Sequence, residues 1–385
     1  MSDLIYLDNN ATTPLDPRVL EAMMPYFTNQ YANAASNHRF GVGANQAVKS
    51  ARERVASLIG SEPGEVIFTS GATEAINTAI KGVTEHYREK GTHIVTVSTE
   101  HPAVLDTCKY LESKGVEVTY LPVDQYGSID LHEVEKAIRN ETILVSVMLV
   151  NNETGVIQPI KEIADLAHQK DAFFMTDATQ AVGKMPVDMK AMGIDIMAFS
   201  AHKFYGPKGV GGLYLRGRRP FKVKLDALIH GGGHERGARS GTLNVPGIIG
   251  LGAAAEIALK EMESDQEKIR ALRDQLEQAF LQMPDTVLNG HPTNRLYNVS
   301  NICFRGADAD AIIAGLENIA VSNGSACSST KVEPSHVLTA MGLSEQDAYA
   351  SLRFSLGRFS IHLDVENCIS SISSIVSSLR VMKVP

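Results

Sequence analysis

The chain has 385 residues, 44% hydrophobic and 21% charged, enough apolar sequence for two or three domains and the wrong composition for a disordered or fibrous protein. Its 36 Lys and Arg against 44 Asp and Glu leave a net charge of −8, which disfavours nucleic acid as a direct partner but permits a local phosphate site. No apolar run approaches the roughly 20 residues that cross a bilayer. The Met-Ser-Asp-Leu start has no secretory pattern, and the four cysteines lack C-x-x-C spacing, so the expectation is a cytoplasmic, membrane-free protein without a structural metal.

From about residue 64, short β-branched runs alternate with helical stretches. Val66–Thr69 reads as a strand and Thr73–Gly82 as the helix after it. His93–Ser98, Val116–Leu121 and Ile143–Val150 are the next strands, with helices over Pro102–Lys114 and Leu131–Arg139 between them. The unbroken apolar run from Ile143 is what a strand buried on both faces needs. A helix over 160–170 and strands over 172–177, 195–200 and 210–215 complete the pattern. Strands joined through helices imply a mainly parallel sheet covered on both sides, an α/β domain.

A long charged helix is expected from about 246 to 283, because Ile269, Leu272, Leu276 and Phe280 recur at steps of three or four and Pro284 follows. Beyond it, strands over Val299–Phe304, Ile319–Ser322 and Leu352–Ser355 interleave with helices over 308–317, 334–341 and 364–380. This places a large domain over 16–257, a smaller α+β domain over 258–385, and an N-terminal segment, 1–15, packed with the smaller domain.

Three strand ends carry candidate chemistry. Ser70-Gly71-Ala72-Thr73-Glu74 opens a helix directly after a strand, where free N–H groups and the helix dipole favour an anion, although an ordinary capped turn has the same look. Asp177 ends an apolar strand, where open parallel sheets bind ligands; a turn-capping Asp is the plainer reading. Lys203 lies between an apolar strand and the loop Tyr205-Gly206-Pro207-Lys208-Gly209, a setting that lowers an amine's pKa and suits Schiff-base chemistry; a solvated loop lysine is the alternative. Together an amine, a carboxylate and a phosphate cradle meet the needs of pyridoxal 5'-phosphate.

The remaining signals lie further along. The loop His230–Thr242 is rich in Gly and Arg and suits an anion or a subunit contact; without any G-x-S-x-G, its His-Gly-Gly-Gly does not indicate a hydrolase. Cys108, Cys303 and Cys368 sit in helical or strand patterns and read as core. Cys327 instead lies in Ser322-Asn323-Gly324-Ser325-Ala326-Cys327-Ser328-Ser329, which has no apolar period, so its thiol reads as accessible and suited to sulfur chemistry; a free surface cysteine with no role is the alternative. Arg353 stands between apolar strand neighbours, awaiting either a structural ion pair or a substrate carboxylate.

These motifs, in this order, resemble the cysteine desulfurases of the NifS/IscS type, within the class V aminotransferases of PLP fold type I. The resemblance runs from Tyr6-Leu7-Asp8-Asn9-Asn10-Ala11-Thr12-Thr13-Pro14 through Glu100-His101, Asn151-Asn152-Glu153 and Asp177–Gln180 to Ser200–Lys203, Gly324–Ser328 and Arg353–Arg358. It implies that Lys203 carries pyridoxal 5'-phosphate, that Asp177 pairs with the pyridinium nitrogen and that Gln180 hydrogen-bonds the ring oxygen. His101 would stack on the ring and assist proton transfer. Ala72, Thr73, Ser200 and His202 would hold the phosphate, with Thr242 arriving from the partner of a homodimer. Asn152 and Arg353 would orient the carboxylate of L-cysteine, and Cys327 would take its sulfur as a persulfide. An acceptor protein, such as an iron–sulfur scaffold or a thiolation protein, would receive it. A class V aminotransferase, a selenocysteine lyase and an inactive sulfur-relay scaffold are the alternatives. One departure is Ala32-Asn33-Ala34-Ala35-Ser36, where family members often read Gly-Asn-Pro-Ser-Ser.

Overall fold

The computed structural model describes residues 4–324 and 333–382. Its chain begins with β1 (Ile5–Tyr6), α1 (Pro17–Thr28) and α2 (Arg39–Ile59). There follow β2 (Val66–Thr69), α3 (Ala72–His86), β3 (His93–Val97), α4 (Pro102–Glu112), β4 (Glu117–Leu121) and α5 (Leu131–Ala137). Next come β5 (Thr142–Ser146), α6 (Ile160–Gln169), β6 (Phe173–Asp177), β7 (Ile196–Ser200) and β8 (Gly211–Leu215). The last part holds α7 (Val245–Leu281), β9 (Thr286–Asn289), β10 (Val299–Phe304), α8 (Ala309–Ala314) and β11 (Ile319–Ala320). It ends with α9 (His336–Ala340), α10 (Glu345–Tyr349), β12 (Ser351–Ser355) and α11 (His362–Met382).

The central sheet has the order β2-β8-β7-β6-β5-β3-β4, parallel except where β8 runs against both neighbours. Alternation along each strand divides the side chains between two apolar layers. Ile67, Ile94, Leu144, Met175 and Ile196 pack on Ile76, Ile80, Val104 and Leu111 of α3 and α4. Val66, Phe68, Val95, Val145, Phe174 and Phe199 face the layer that includes α2, α6 and α7. Each such side chain, removed from water, stabilises the sheet by about 1.5–3 kcal/mol. The mainly parallel α/β fold inferred from sequence is therefore present, and nearly every strand read from the sequence falls within two residues of its structural counterpart.

One strand ends early. Of the run Ile143–Val150, β5 takes only the part to Ser146; beyond it the N–H groups of Val147 and Leu149 still donate to the carbonyls of Met175 and Asp177, while that of Met148 between them is taken at 2.5 Å by the carboxylate of Glu100. Elements before residue 64 had no counterpart in the sequence reading, and neither did β9 or α10. Helix α7 passes through residues 257 and 258 without a break. Its first half is nearly all buried, and Gly252 lets it approach α2 so closely that a Cβ there would lie 2.7 Å from the Cα of Ala51.

Beyond α7, β12-β10-β9 form an antiparallel sheet. The N-terminal strand joins this region: β1 pairs parallel with β11, and Asp8 bridges to Ser355. Residues 9–13 then run from there to the carboxyl edge of the central sheet, where the N–H of Thr13 donates to the carbonyl of His202 at 2.9 Å.

Candidate active site

The carboxyl ends of β2, β6 and β7, the N-terminus of α4 and the segment after β1 enclose a cavity of about 670 Å³. Ala72, Thr73, His101, Asn152, Asp177, Gln180, Ser200, His202, Lys203 and Arg353 all line it, so the structure gathers residues separated by up to 281 positions in sequence. Thr242 does not line it and is exposed. Cys327 lies outside the described residues; Gly324, at their edge, reaches the cavity wall.

At one end, α3 begins without a side-chain cap. Gly71 holds the turn at φ 156° and ψ −179°, a conformation that residues with a Cβ rarely adopt. The first N–H groups of α3 thus face the cavity, and the helix dipole adds positive potential there. Glu74 is diverted from this end: it accepts from Arg239 Nε at 2.8 Å and from the Ser70 N–H at 2.9 Å. His202 Nδ1 lies 3.1 Å from the Thr12 hydroxyl. Burial, helped by the charges of Lys203, Lys208 and Lys184, pushes its pKa down to about 4, so it is neutral at pH 7.

Lys203 follows β7. Its Nζ donates to the backbone carbonyls of Asn10 and Ala11, both at 2.7 Å. Burial and the neighbouring Arg353 lower its pKa to about 8, against the opposing pull of Asp177 and Asp8. An amine with that pKa is a nucleophile near neutral pH. Asp177 is 5% exposed, accepts the Thr179 N–H at 2.9 Å, and forms no ion pair with a cation among the described residues. A buried carboxylate without a counter-ion is costly unless a ligand supplies one.

His101 caps α4, accepting the Ala103 N–H on Nδ1 at 3.1 Å, which leaves Nε2 as the protonated nitrogen of the neutral ring. Burial depresses its pKa, with Lys203 and His336 adding to the effect and Asp177 opposing it. Arg353 has the ion pair that its sequence position allowed. Its Nη2 pairs with Asp8 at 2.7 Å, and its Nη1 donates to the Asn152 carbonyl at 3.1 Å. Its Nε is buried without a partner.

Asp8, Asn10, Glu100 and Lys184 were given no role by sequence reasoning. Asp8 and Asn10 belong to the polar run Asp8–Thr13, which has neither helical nor strand period; that lack of period is the signal that was there to read. Lys184 looks like an ordinary turn lysine in Val182-Gly183-Lys184-Met185, yet it is 4% exposed. The three cysteines read as core are buried, and burial raises the thiol of Cys108 to about 12 and that of Cys303 to about 11.

Taken together, an uncapped helix N-terminus fits a phosphate, a buried carboxylate with no ion pair among the described residues fits a protonated ring nitrogen, and a depressed amine fits an aldehyde. Comparison with known proteins gives the family. Residues 5–368 match the class-V aminotransferase family. The chain is 50% identical over 381 residues to the cysteine desulfurase IscS of Glaesserella parasuis, covering 98% of this chain and 93% of that one. Among solved structures, a NifS-like protein superposes with a TM-score of 0.91 at 38% identity, covering 97% of this chain and 100% of that one. Another, described as SspA in complex with cysteine, gives a TM-score of 0.80 at 39% identity, covering 92% and 99%. The chain belongs to the class-V aminotransferase family and, within it, to the cysteine desulfurases.

Proposed function

We propose that this cysteine desulfurase converts L-cysteine to L-alanine with pyridoxal 5'-phosphate held at Lys203, and that Cys327 receives the sulfur. The observation that carries this reading is Lys203, an amine lowered to about 8, in one cavity with the buried carboxylate of Asp177, which forms no ion pair among the described residues. When bound, the cofactor supplies an electron sink for charge that develops at the substrate Cα. The chain's residues supply the rest. Ala72, Thr73, Ser200 and His202 hold the phosphate, and Asp177 keeps the ring nitrogen protonated. Gln180 donates to the ring oxygen. Lys203 moves the Cα proton, and neutral His101 covers the ring and assists that transfer. Arg353 and Asn152 hold the substrate carboxylate.

The sulfur step is balanced without an external oxidant. The thiolate of Cys327 attacks the substrate Sγ, the Cβ–Sγ bond breaks, and its electron pair remains on Cβ, where a proton completes alanine. The sulfur stays on Cys327 as a persulfide, ready for an acceptor protein such as an iron–sulfur scaffold or a thiolation protein. Thr242, exposed and off the cavity of its own chain, is assigned to the phosphate site of the partner in a homodimer.

The test is to give L-cysteine and a reductant to wild-type and Cys327→Ala protein, both loaded with cofactor, and to quantify alanine and sulfide. Equimolar products from wild type alone are expected. Equal turnover by Cys327→Ala would remove Cys327 from the mechanism, and a wild type that forms no alanine would overturn the reading.

A further inference from the structure

We propose that Lys184 is a positioning residue: it orients the side-chain amide of Gln180 so that this amide presents only its NH2 group to the cavity. The inference rests on the reading above, in which Gln180 faces the ring oxygen of the cofactor.

Lys184 lies four residues after Gln180 and its side chain is buried. Its Nζ donates to Gln180 Oε1 at 2.7 Å and, more weakly, to Asn10 Oδ1 at 3.4 Å. An ammonium held this way can only donate, so the oxygen of the Gln180 amide must turn toward it. The NH2 end is thereby turned the other way. One of its hydrogens goes to the Asn10 carbonyl at 2.8 Å, the same oxygen that accepts from Lys203. The other hydrogen is left for a ligand. Asn10 is fixed as well, since its Oδ1 also accepts from Asn298 Nδ2 at 3.1 Å and its own Nδ2 donates to the Asn152 carbonyl at 3.1 Å.

The cost of this arrangement supports a role. No carboxylate among the described residues pairs with Lys184, and the charges that face it, Lys203 and Arg353, are of its own sign. Burying an uncompensated lysine beside two cations destabilises the fold. A methionine has nearly the same length and none of that cost, so packing alone would favour methionine here. What methionine lacks is the donor that settles which end of Gln180 faces the cavity.

The experiment compares four cofactor-loaded proteins: wild type, Gln180→Ala, Lys184→Met and the double variant. It reads the pH midpoint at which the bound cofactor's visible absorbance converts to its near-ultraviolet form, together with the melting temperature without cofactor. A donor aimed at the ring oxygen favours the anionic form of that oxygen, so losing it raises the midpoint. Lys184→Met is expected to raise it by about one pH unit, as Gln180→Ala does, with no further rise in the double variant. The melting temperature of Lys184→Met should equal or exceed that of wild type. An unchanged midpoint in Lys184→Met beside a shifted one in Gln180→Ala overturns the inference, and so do shifts that add in the double variant. If Lys184→Met does not fold, Lys184→Arg carries the test, because a guanidinium also has only donors. Its midpoint should stay within about 0.3 unit of wild type, and a larger shift in a folded protein overturns the inference. A wild type with no visible band would instead overturn the assignment of cofactor to Lys203.

Discussion

Lys203 should titrate near pH 8, and the two charged residues beside it should move that midpoint in opposite directions. An amine of pKa about 8 is unprotonated in roughly a tenth of molecules at pH 7, whereas an ordinary lysine at 10.5 is unprotonated in roughly one molecule in 3,000. The structure therefore gives Lys203 about 300 times more reactive amine at neutral pH. The assay is the rate at which cofactor-free protein captures pyridoxal phosphate, normalised to the same reaction of butylamine so that the aldehyde's own ionisation cancels. The rate should climb about tenfold per pH unit below 7.5 and level off above about 9. After burial, Arg353 is the largest influence lowering Lys203, and Asp8 opposes it. Arg353→Met should move the midpoint up, because the cation is lost and Asp8 is left unpaired. Asp8→Asn should move it down, leaving Arg353 unopposed across their 2.7 Å contact. Stability carries the same signature. Between pH 8 and 10.5 the unfolded chain keeps a proton that the folded one has released, so this group's contribution to stability rises with pH across that window and its penalty is full below pH 8. Lys203→Met should flatten that rise. A capture rate that keeps climbing beyond pH 10, or two variants that shift the midpoint the same way, would refute the reasoning.

Two further outcomes can be checked. Asp177→Asn should still take up cofactor, since the phosphate contacts and Lys203 are intact, but alanine formation should drop by about a hundredfold or more, as measured by steady-state turnover at saturating cysteine. Gly71→Ala forces a Cβ into a backbone region that costs of order 1–3 kcal/mol and shifts the start of α3. Thermal unfolding should show that loss, and pyridoxal phosphate should dissociate more readily in equilibrium dialysis, while the affinity of the pocket for cysteine analogues lacking phosphate contacts changes less.

The central sheet was legible because most of its strands are buried on both faces, and several of them, such as Ile143–Val150, write themselves as apolar runs. Helix α2 was not, because most of its core face, Gly41, Ala44, Val48, Ala51 and Val55, has small side chains that give little hydrophobic contrast at helical spacing before Leu58 and Ile59. Strand β9, half-exposed along Thr286–Asn289, and α10, only five residues long, offered even less. At the site, the strand-end residues Asp177, Ser200 and Lys203 could be found because a polar residue after an apolar run has a position in the fold. Asp8, Asn10 and Lys184 could not, since their meaning comes from partners far away: Asp8 meets Arg353 across 345 positions and Lys184 meets Asn10 across 174. No local period encodes such a pair. Arg353 shows the limit from the other side: its sequence setting allowed an ion pair or a ligand contact, and the structure gives it Asp8 while leaving its Nε without a partner.

The pairing of β1 with β11, and of the Asn10 N–H with the Ser355 hydroxyl 345 residues away, also fixes an order of assembly. A segment made early has its binding place in strands made more than 300 residues later. Until β11 and β12 emerge, residues 5–10 have no ladder to join, and Lys203 lacks the two carbonyls that receive its hydrogens. Closing so long a loop is slow compared with forming the local βα units. The central sheet can therefore condense during synthesis while the nucleophilic amine is enclosed only once β11 and β12 have been made, so a chain cut before them would carry the central strands but not the chemistry.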